Sequence, residues 1–112
     1  MRAIVLSRST DTEEIVSLLN TLRMEVVREF LQKKDAHPTN YFGPGKVEEI
    51  SEEVKKIDPD IIVINDRLKP SQHHFLEMKF QKECVDRTGV ILRIFAEHAY
   101  TPEAIAQLQL AK

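Results

Sequence analysis

The sequence predicts an α/β fold: a small layered domain with a four-stranded, mostly parallel sheet flanked by helices. Short apolar runs alternate with amphipathic helical patterns along the 112 residues. Two of the runs, residues 3–6 and 61–64, are continuous, as in strands that are covered on both faces. Strands that alternate with helices pair in parallel through right-handed crossovers, and this order therefore predicts the sheet.

The first part of the chain predicts a strand, a helix and a second strand. Residues 3–6 form the first strand. Thr10 and Glu13 have the spacing of a capping box, with Thr10 as the cap of a helix that extends to near Arg23. Residues 25–31 hold four apolar side chains and predict the second strand.

The rest of the chain repeats this order. A helix is expected from Lys46 until the residue before Pro59, because proline disfavours helix in the residue that precedes it. After the second continuous run, Ser71 is the expected cap of a third helix. Residues 84–85 predict a brief fourth strand, and Thr88 is the expected cap of the helix that follows.

Composition limits the class of protein. The net charge is −2, so the whole chain is not a general polyanion binder, although a local basic surface remains open. No apolar run approaches the roughly 18 to 20 residues of a membrane span. Cys84 is the one cysteine, which excludes an internal disulfide and indicates a reducing, cytoplasmic location. We interpret Cys84 itself as a buried strand residue.

A glycine-rich turn, Gly43-Pro44-Gly45-Lys46, resembles a phosphate loop at first sight. A Walker A loop needs glycine five residues before its second glycine and a hydroxyl after its lysine. Here Asn40 and Val47 occupy those positions, so the motif fails at both ends. The turn either presents amides and a positive helix end to an anion, or it only makes the turn.

Basic residues collect in the predicted strand-to-helix loops. In a parallel sheet these loops emerge at one edge, where ligands usually bind. Their acidic neighbours are fewer, namely Asp35, Asp66 and Asp86. The pattern predicts an edge that binds phosphate of a nucleotide or of RNA, unless it reflects only the polarity of loops. The basic residues are Arg8, Lys33, Lys34, Lys46, Arg67, Lys69 and Arg87.

No catalytic or metal site is predicted. His73 and His74 are neighbours on a helix and point about 100° apart, so they cannot jointly bind one metal. Neither a Ser-His-Asp spacing nor a carboxylate pair stands out. Asp86 is expected to pair with Arg87 or to hold a neighbouring loop.

The C-terminal residues predict one more helix. Thr101 and Pro102 are typical of a helix start, and the apolar pattern is still running at Lys112. We therefore expect the natural chain to continue. The apolar stripe could pack on the sheet, on a later segment or on a second copy; its members are Ala104, Ile105, Leu108 and Ala111.

Several motifs, in matching order, resemble the N-terminal domain of the HflX family of ribosome-associated GTPases. The first is Tyr41-Phe42-Gly43-Pro44-Gly45-Lys46-Val47-Glu48-Glu49. The others are Leu68-Lys69-Pro70-Ser71-Gln72, Asp86-Arg87-Thr88-Gly89-Val90-Ile91-Leu92-Arg93-Ile94-Phe95-Ala96 and Leu108-Gln109-Leu110-Ala111.

The resemblance implies an α/β domain at residues 1–99 and the start of a helical hairpin at residues 100–112. In the family a GTPase domain follows, so GTP and magnesium belong to a part that these residues lack. The implied partners are the large ribosomal subunit, its rRNA, and the remaining hairpin and GTPase domain; ATP binding in the N-terminal region has also been suggested for the family. No GTP hydrolysis is expected of these residues alone. The residues expected to contact RNA or a nucleotide are Arg8, Tyr41, Gly43, Gly45, Lys46, Arg67, Lys69 and Arg87.

Overall fold

The computed structural model describes residues 1–33 and 41–98, and it contains one four-stranded sheet. The strands lie in the order β2-β1-β3-β4, and every neighbouring pair is parallel. This confirms the predicted fold class. The strands are β1 (Arg2–Ser7), β2 (Glu25–Leu31), β3 (Ile61–Ile64) and β4 (Glu83–Asp86).

Four helices cover the two faces of this sheet. Helices α1 and α4 contact each other on one face, and α2 and α3 contact each other on the opposite face. The helices are α1 (Glu13–Thr21), α2 (Pro44–Ile57), α3 (Pro70–Phe80) and α4 (Arg87–His98).

The two central strands supply core residues to both faces. Along β3, Ile62 and Ile64 point toward α2 and α3, whereas Ile61 and Val63 point toward α1. All four side chains are fully buried. The continuous apolar run therefore follows from alternation between two covered faces.

The predicted start of α1 is wrong. The helix begins at Glu13 with Thr12 as its cap residue, and Thr12 makes no capping hydrogen bond through its side chain. The preceding residues form a serine-stabilised turn, in which Ser7 and Ser9 bond to each other and Ser9 accepts from the Asp11 amide. This turn keeps Thr10 outside the helix. The helix also ends two residues before Arg23.

The starts of α2 and α3 also lie earlier than predicted. Both begin with proline, whose fixed φ and missing N–H suit the first helical position. Helix α2 therefore starts at Pro44 instead of Lys46. In α3 the cap residue is Lys69, and Ser71 belongs to the first turn.

At α4 the cap is Asp86, and the prediction of Thr88 is wrong. Strand β4 runs directly into the helix, so Thr88 is already its second residue. The Asp86 Oδ1 accepts from the Gly89 amide at 2.9 Å, which is the geometry of an N-cap. The Asp86 Oδ2 accepts from the Leu68 amide at 3.1 Å, so Asp86 holds a neighbouring loop as expected.

Side chains from α3 occupy the outer edge of β4. The Cys84 amide donates to Glu77 Oε2 at 3.0 Å, and His73 Nε2 donates to the Cys84 carbonyl oxygen at 2.7 Å. The Cys84 side chain is buried, and burial raises its pKa to about 12. Cys84 is therefore a core residue with an unreactive thiol.

Some expectations fall on residues outside the described ranges. These are Lys34 and Asp35, and the predicted helix at 100–112 with its apolar stripe. Within residues 1–33 and 41–98, no helix is both long and apolar enough to cross a membrane.

Candidate functional site

The carboxyl ends of the four strands meet at one edge of the sheet, which we call the carboxyl edge. It consists of the residues that follow each strand and the first turns of the helices. The order β2-β1-β3-β4 reverses the direction of connection between β1 and β3. In open parallel sheets, the crevice at such a reversal is the usual place for a ligand.

Arg8, Tyr41 and Asp66 meet at this crevice. The Asp66 Oδ2 accepts from Arg8 Nε at 2.9 Å and from Arg8 Nη2 at 2.6 Å. The Tyr41 hydroxyl lies 3.4 Å from the same oxygen, and the Arg8 guanidinium lies 5.8 Å from the centre of the tyrosine ring. Hydrogen bonding to Asp66 raises the pKa of Arg8, so the arginine is a fixed cation there.

Tyr41 supports this group from the core. Its side chain is 1 % exposed, and its ring centre lies 4.8 Å from that of Phe42 with the two rings tilted by 39°. Burial raises the pKa of the Tyr41 hydroxyl, which therefore stays protonated and can donate to Asp66. Its φ of 68° lies in the left-handed region, which is unusual for an aromatic residue. Packing holds this strained conformation in place.

Two other predicted cations are ion-paired with helix residues. Lys46 lies 3.2 Å from Glu49 and 5.8 Å from the centre of the Phe30 ring. Arg87 is ion-paired with Glu14, which lies in the first turn of α1. These pairs make the carboxyl edge less basic than its loops alone predict.

Arg67 and Lys69 are different. Both are exposed, and neither forms an ion pair with any residue in the described ranges. They flank Leu68 in the loop between β3 and α3. Lys33, which follows β2, is exposed as well. Among the described residues, Lys33, Arg67 and Lys69 are the exposed cations at this edge that form no ion pair.

Sequence reasoning placed Asp66 on this edge but missed its role, and it did not identify Glu14 and Glu49 as ion-pair partners. The partners in the Arg8–Asp66 and Arg87–Glu14 pairs are 58 and 73 residues apart, so no local motif marks them. Glu49 is three residues from Lys46 on α2, a spacing that could have identified the pair.

One backbone amide of the glycine-rich turn is already hydrogen-bonded within the protein. The Gly43 amide donates to Gln32 Oε1 at 2.9 Å and is not available to a ligand. A side chain at Gly45 would meet open space, and no glycine in the described ranges has a positive φ. The remaining free amides are those of the first turn of α2.

A shallow groove of about 360 Å³ lies beside β4, between α3 and the start of α4. Its lining includes Pro70, His73, Cys84 and Gly89. Among the described residues, no group of three histidine, cysteine or carboxylate side chains is placed to hold a metal ion.

The sequence model of the family described as GTP-binding GTPase N-terminal matches residues 9–96 of this chain. The chain belongs to the HflX family. It is 42% identical over 100 residues to the GTPase HflX of Magnetococcus marinus, which covers 88% of the chain and 23% of that protein. With the GTPase HflX of Escherichia coli it shares 35% identity over 103 residues, covering 91% and 24%. The chain thus spans about a quarter of the length of these HflX proteins and matches their N-terminal part.

Solved structures agree with this HflX assignment. A GTP-binding protein from Sulfolobus solfataricus in complex with GDP superposes with a TM-score of 0.74 at 26% identity. The match covers 99% of this chain and 35% of that one. The SsGBP and GDP complex superposes with a TM-score of 0.76, covering 99% and 34%.

Proposed function

We propose that this domain is a targeting module, which binds rRNA of the large ribosomal subunit through its carboxyl edge and so places a GTPase domain there. The supporting observation is the exposed pair Arg67 and Lys69 at that edge, in a chain of the HflX family. In this proposal the GTP hydrolysis of the whole protein belongs to a separate, magnesium-dependent domain, and the protein works in the cytoplasm.

The cations of the carboxyl edge differ in whether a carboxylate holds them. Backbone phosphates are bound by lysine and arginine side chains that can exchange counterions for phosphate oxygens. An exposed cation without a carboxylate partner among the described residues needs no internal ion pair to break. Arg67 and Lys69 meet this condition, whereas Arg8, Lys46 and Arg87 are engaged with carboxylates.

Co-sedimentation of this chain with isolated large ribosomal subunits tests the proposal. The variant is Arg67→Ala/Lys69→Ala, and its matched control is Lys55→Ala/Lys56→Ala. The control removes the same charge from exposed positions in the last turn of α2, at the opposite end of the sheet.

We expect the native chain and the control to bind alike. The edge variant should bind about tenfold more weakly, and its affinity should depend less on salt, since it contacts fewer phosphates. Equal loss in the two variants would mean that only net charge matters. Absence of binding by the native chain would overturn the proposal.

A second candidate function is nucleotide binding at the start of α2. The favouring observation is the open space above Gly45, next to the first-turn amides and Lys46. Calorimetric titration with ATP tests it. Saturable binding that Lys46→Ala and Gly45→Ala both abolish would support this function, because a new Cβ at Gly45 disturbs nothing in the protein itself.

A further inference from the structure

Asp66 connects the three loops of the carboxyl edge and the junction between β4 and α4. Its Oδ2 accepts from Arg8, which follows β1, and from Tyr41, which precedes α2. Its Oδ1 accepts from the Arg67 amide at 2.8 Å in its own loop. Its backbone carbonyl accepts from the Arg87 amide at 3.1 Å at the start of α4. No other carboxylate of the described residues contacts so many separate segments of the chain.

The hydrogen bonds that position 66 accepts explain why a carboxylate occupies it. Hydrogen bonds to an ionised group are shorter and stronger than neutral ones, and a guanidinium that donates through two nitrogens also fixes direction. The Asp66 side chain is 29 % exposed, so solvent screens the pair only in part. The arrangement therefore sets the position of the loops more than it adds stability.

We propose that Asp66 is the positioning residue of the RNA-binding edge, although its own charge repels phosphate. It fixes the backbone at Arg67, and thereby the direction in which the Arg67 and Lys69 side chains leave the surface. It also keeps Arg8 in the crevice as a structural cation. This inference rests on the proposed binding of rRNA.

For Asp66, positioning predicts a change in binding affinity opposite to the change expected from charge alone. Removing any carboxylate from the edge raises the local charge by one unit, which by itself strengthens phosphate binding. Glu14 supplies the matched control, because it lies at the same edge and is ion-paired only with Arg87 in the described contacts. Positioning predicts that loss of Asp66 weakens binding, while loss of the Glu14 charge strengthens it.

The experiment compares Asp66→Ala, Asp66→Asn and Glu14→Gln in the same co-sedimentation assay over a range of salt concentrations. We expect Glu14→Gln to bind about two- to fivefold more tightly and Asp66→Ala about tenfold more weakly. The salt dependence of Asp66→Ala should also fall, because fewer phosphates are contacted at once. A purely structural role would not change that slope in molecules that remain folded.

Asp66→Asn keeps one acceptor oxygen, which can serve Arg8 or the Arg67 amide but not both, so it should recover part of the lost affinity. It also carries the test if Asp66→Ala does not fold, as judged by circular dichroism. Binding of the Asp66 variants that equals or exceeds that of Glu14→Gln overturns the positioning role while leaving rRNA binding intact. Failure of the native chain to bind overturns both.

Discussion

The two ends of the sheet use charge differently. At the amino end, contacts join residues of neighbouring elements without a common acceptor. The Arg2 amide donates to Asp60, the Arg2 guanidinium donates to the Ile57 carbonyl, and Lys82 is ion-paired with Asp58. At the carboxyl end, one carboxylate receives donors from several loops, and exposed cations surround it.

This contrast separates stability from recognition. The contacts at the amino end are exposed and have no common acceptor, so the loss of the Lys82–Asp58 pair leaves the contacts of Arg2 in place. The contacts at the carboxyl end form a connected network, and this network reaches the core at the buried Tyr41. A substitution in this network is expected to displace several loops, so the carboxyl end should be more sensitive to substitution than the amino end.

The largest expected effect follows from Tyr41→Ala. Removing this buried ring leaves a cavity next to Phe42 and should lower the free energy of unfolding by about 3 to 5 kcal/mol. Urea unfolding measures the difference. Tyr41→Phe keeps the ring and loses the hydroxyl contacts with Asp66 and Arg8, so it should lower the free energy of unfolding by only about 1 kcal/mol. Similar losses in both variants would mean that the hydroxyl, and not the ring, anchors the edge.

A smaller effect is expected from Asp86→Ala. This change removes the α4 cap and the bond to the Leu68 amide, and should lower the free energy of unfolding by about 1 to 3 kcal/mol. Asp86→Asn retains capping ability and should recover much of the loss. Thr88→Ala is the control, since Thr88 is exposed within the helix and should change stability little. A larger loss of stability in Thr88→Ala than in Asp86→Ala would mean that Thr88 is the cap.

The smallest effect is expected at the amino end, from Asp58→Asn. The hydrogen bond from Lys82 lowers the pKa of Asp58 below its ordinary value. A carboxyl group whose pKa is lowered by folding stabilises the folded state fully at a pH above its pKa in the unfolded chain. This stabilisation is lost as the pH falls through the pKa of the group in the folded state. The native chain should therefore have a slightly higher Tm than the variant at neutral pH. The two Tm values should converge in acid, and a difference that persists there would exclude this ion pair as its cause.

The sequence was sufficient for four parallel strands and for the placement of the basic loops at one edge, but not for the order of the strands. The run Ile61–Ile64 marks a central strand because only a strand covered on both faces buries four consecutive apolar side chains. Alternation with helices then implies parallel pairing, which brings the loops of Arg8 and Arg67 to one edge. The contacts of these residues with RNA or a nucleotide stay a prediction.

What the sequence could not supply was the choice among competing local partners. Thr10 satisfies a capping pattern, yet the serine turn delays the helix by two residues, so that Thr12 is the cap residue. Thr88 and Asp86 are both good caps, and only the direct passage from β4 into α4 decides between them. The network around Asp66 depends on residues distant in the chain, which local patterns do not pair.

The hydrogen bonds at the outer edge of β4 affect how the domain can assemble. A strand that approached this edge would find both ladder groups of Cys84 already bonded to His73 and Glu77. Natural sheets limit edge-to-edge aggregation by blocking their exposed strands in this way. Extension of the sheet on this side requires displacement of two α3 side chains, so a larger assembly is expected to join this domain through loops or helices instead of a shared sheet.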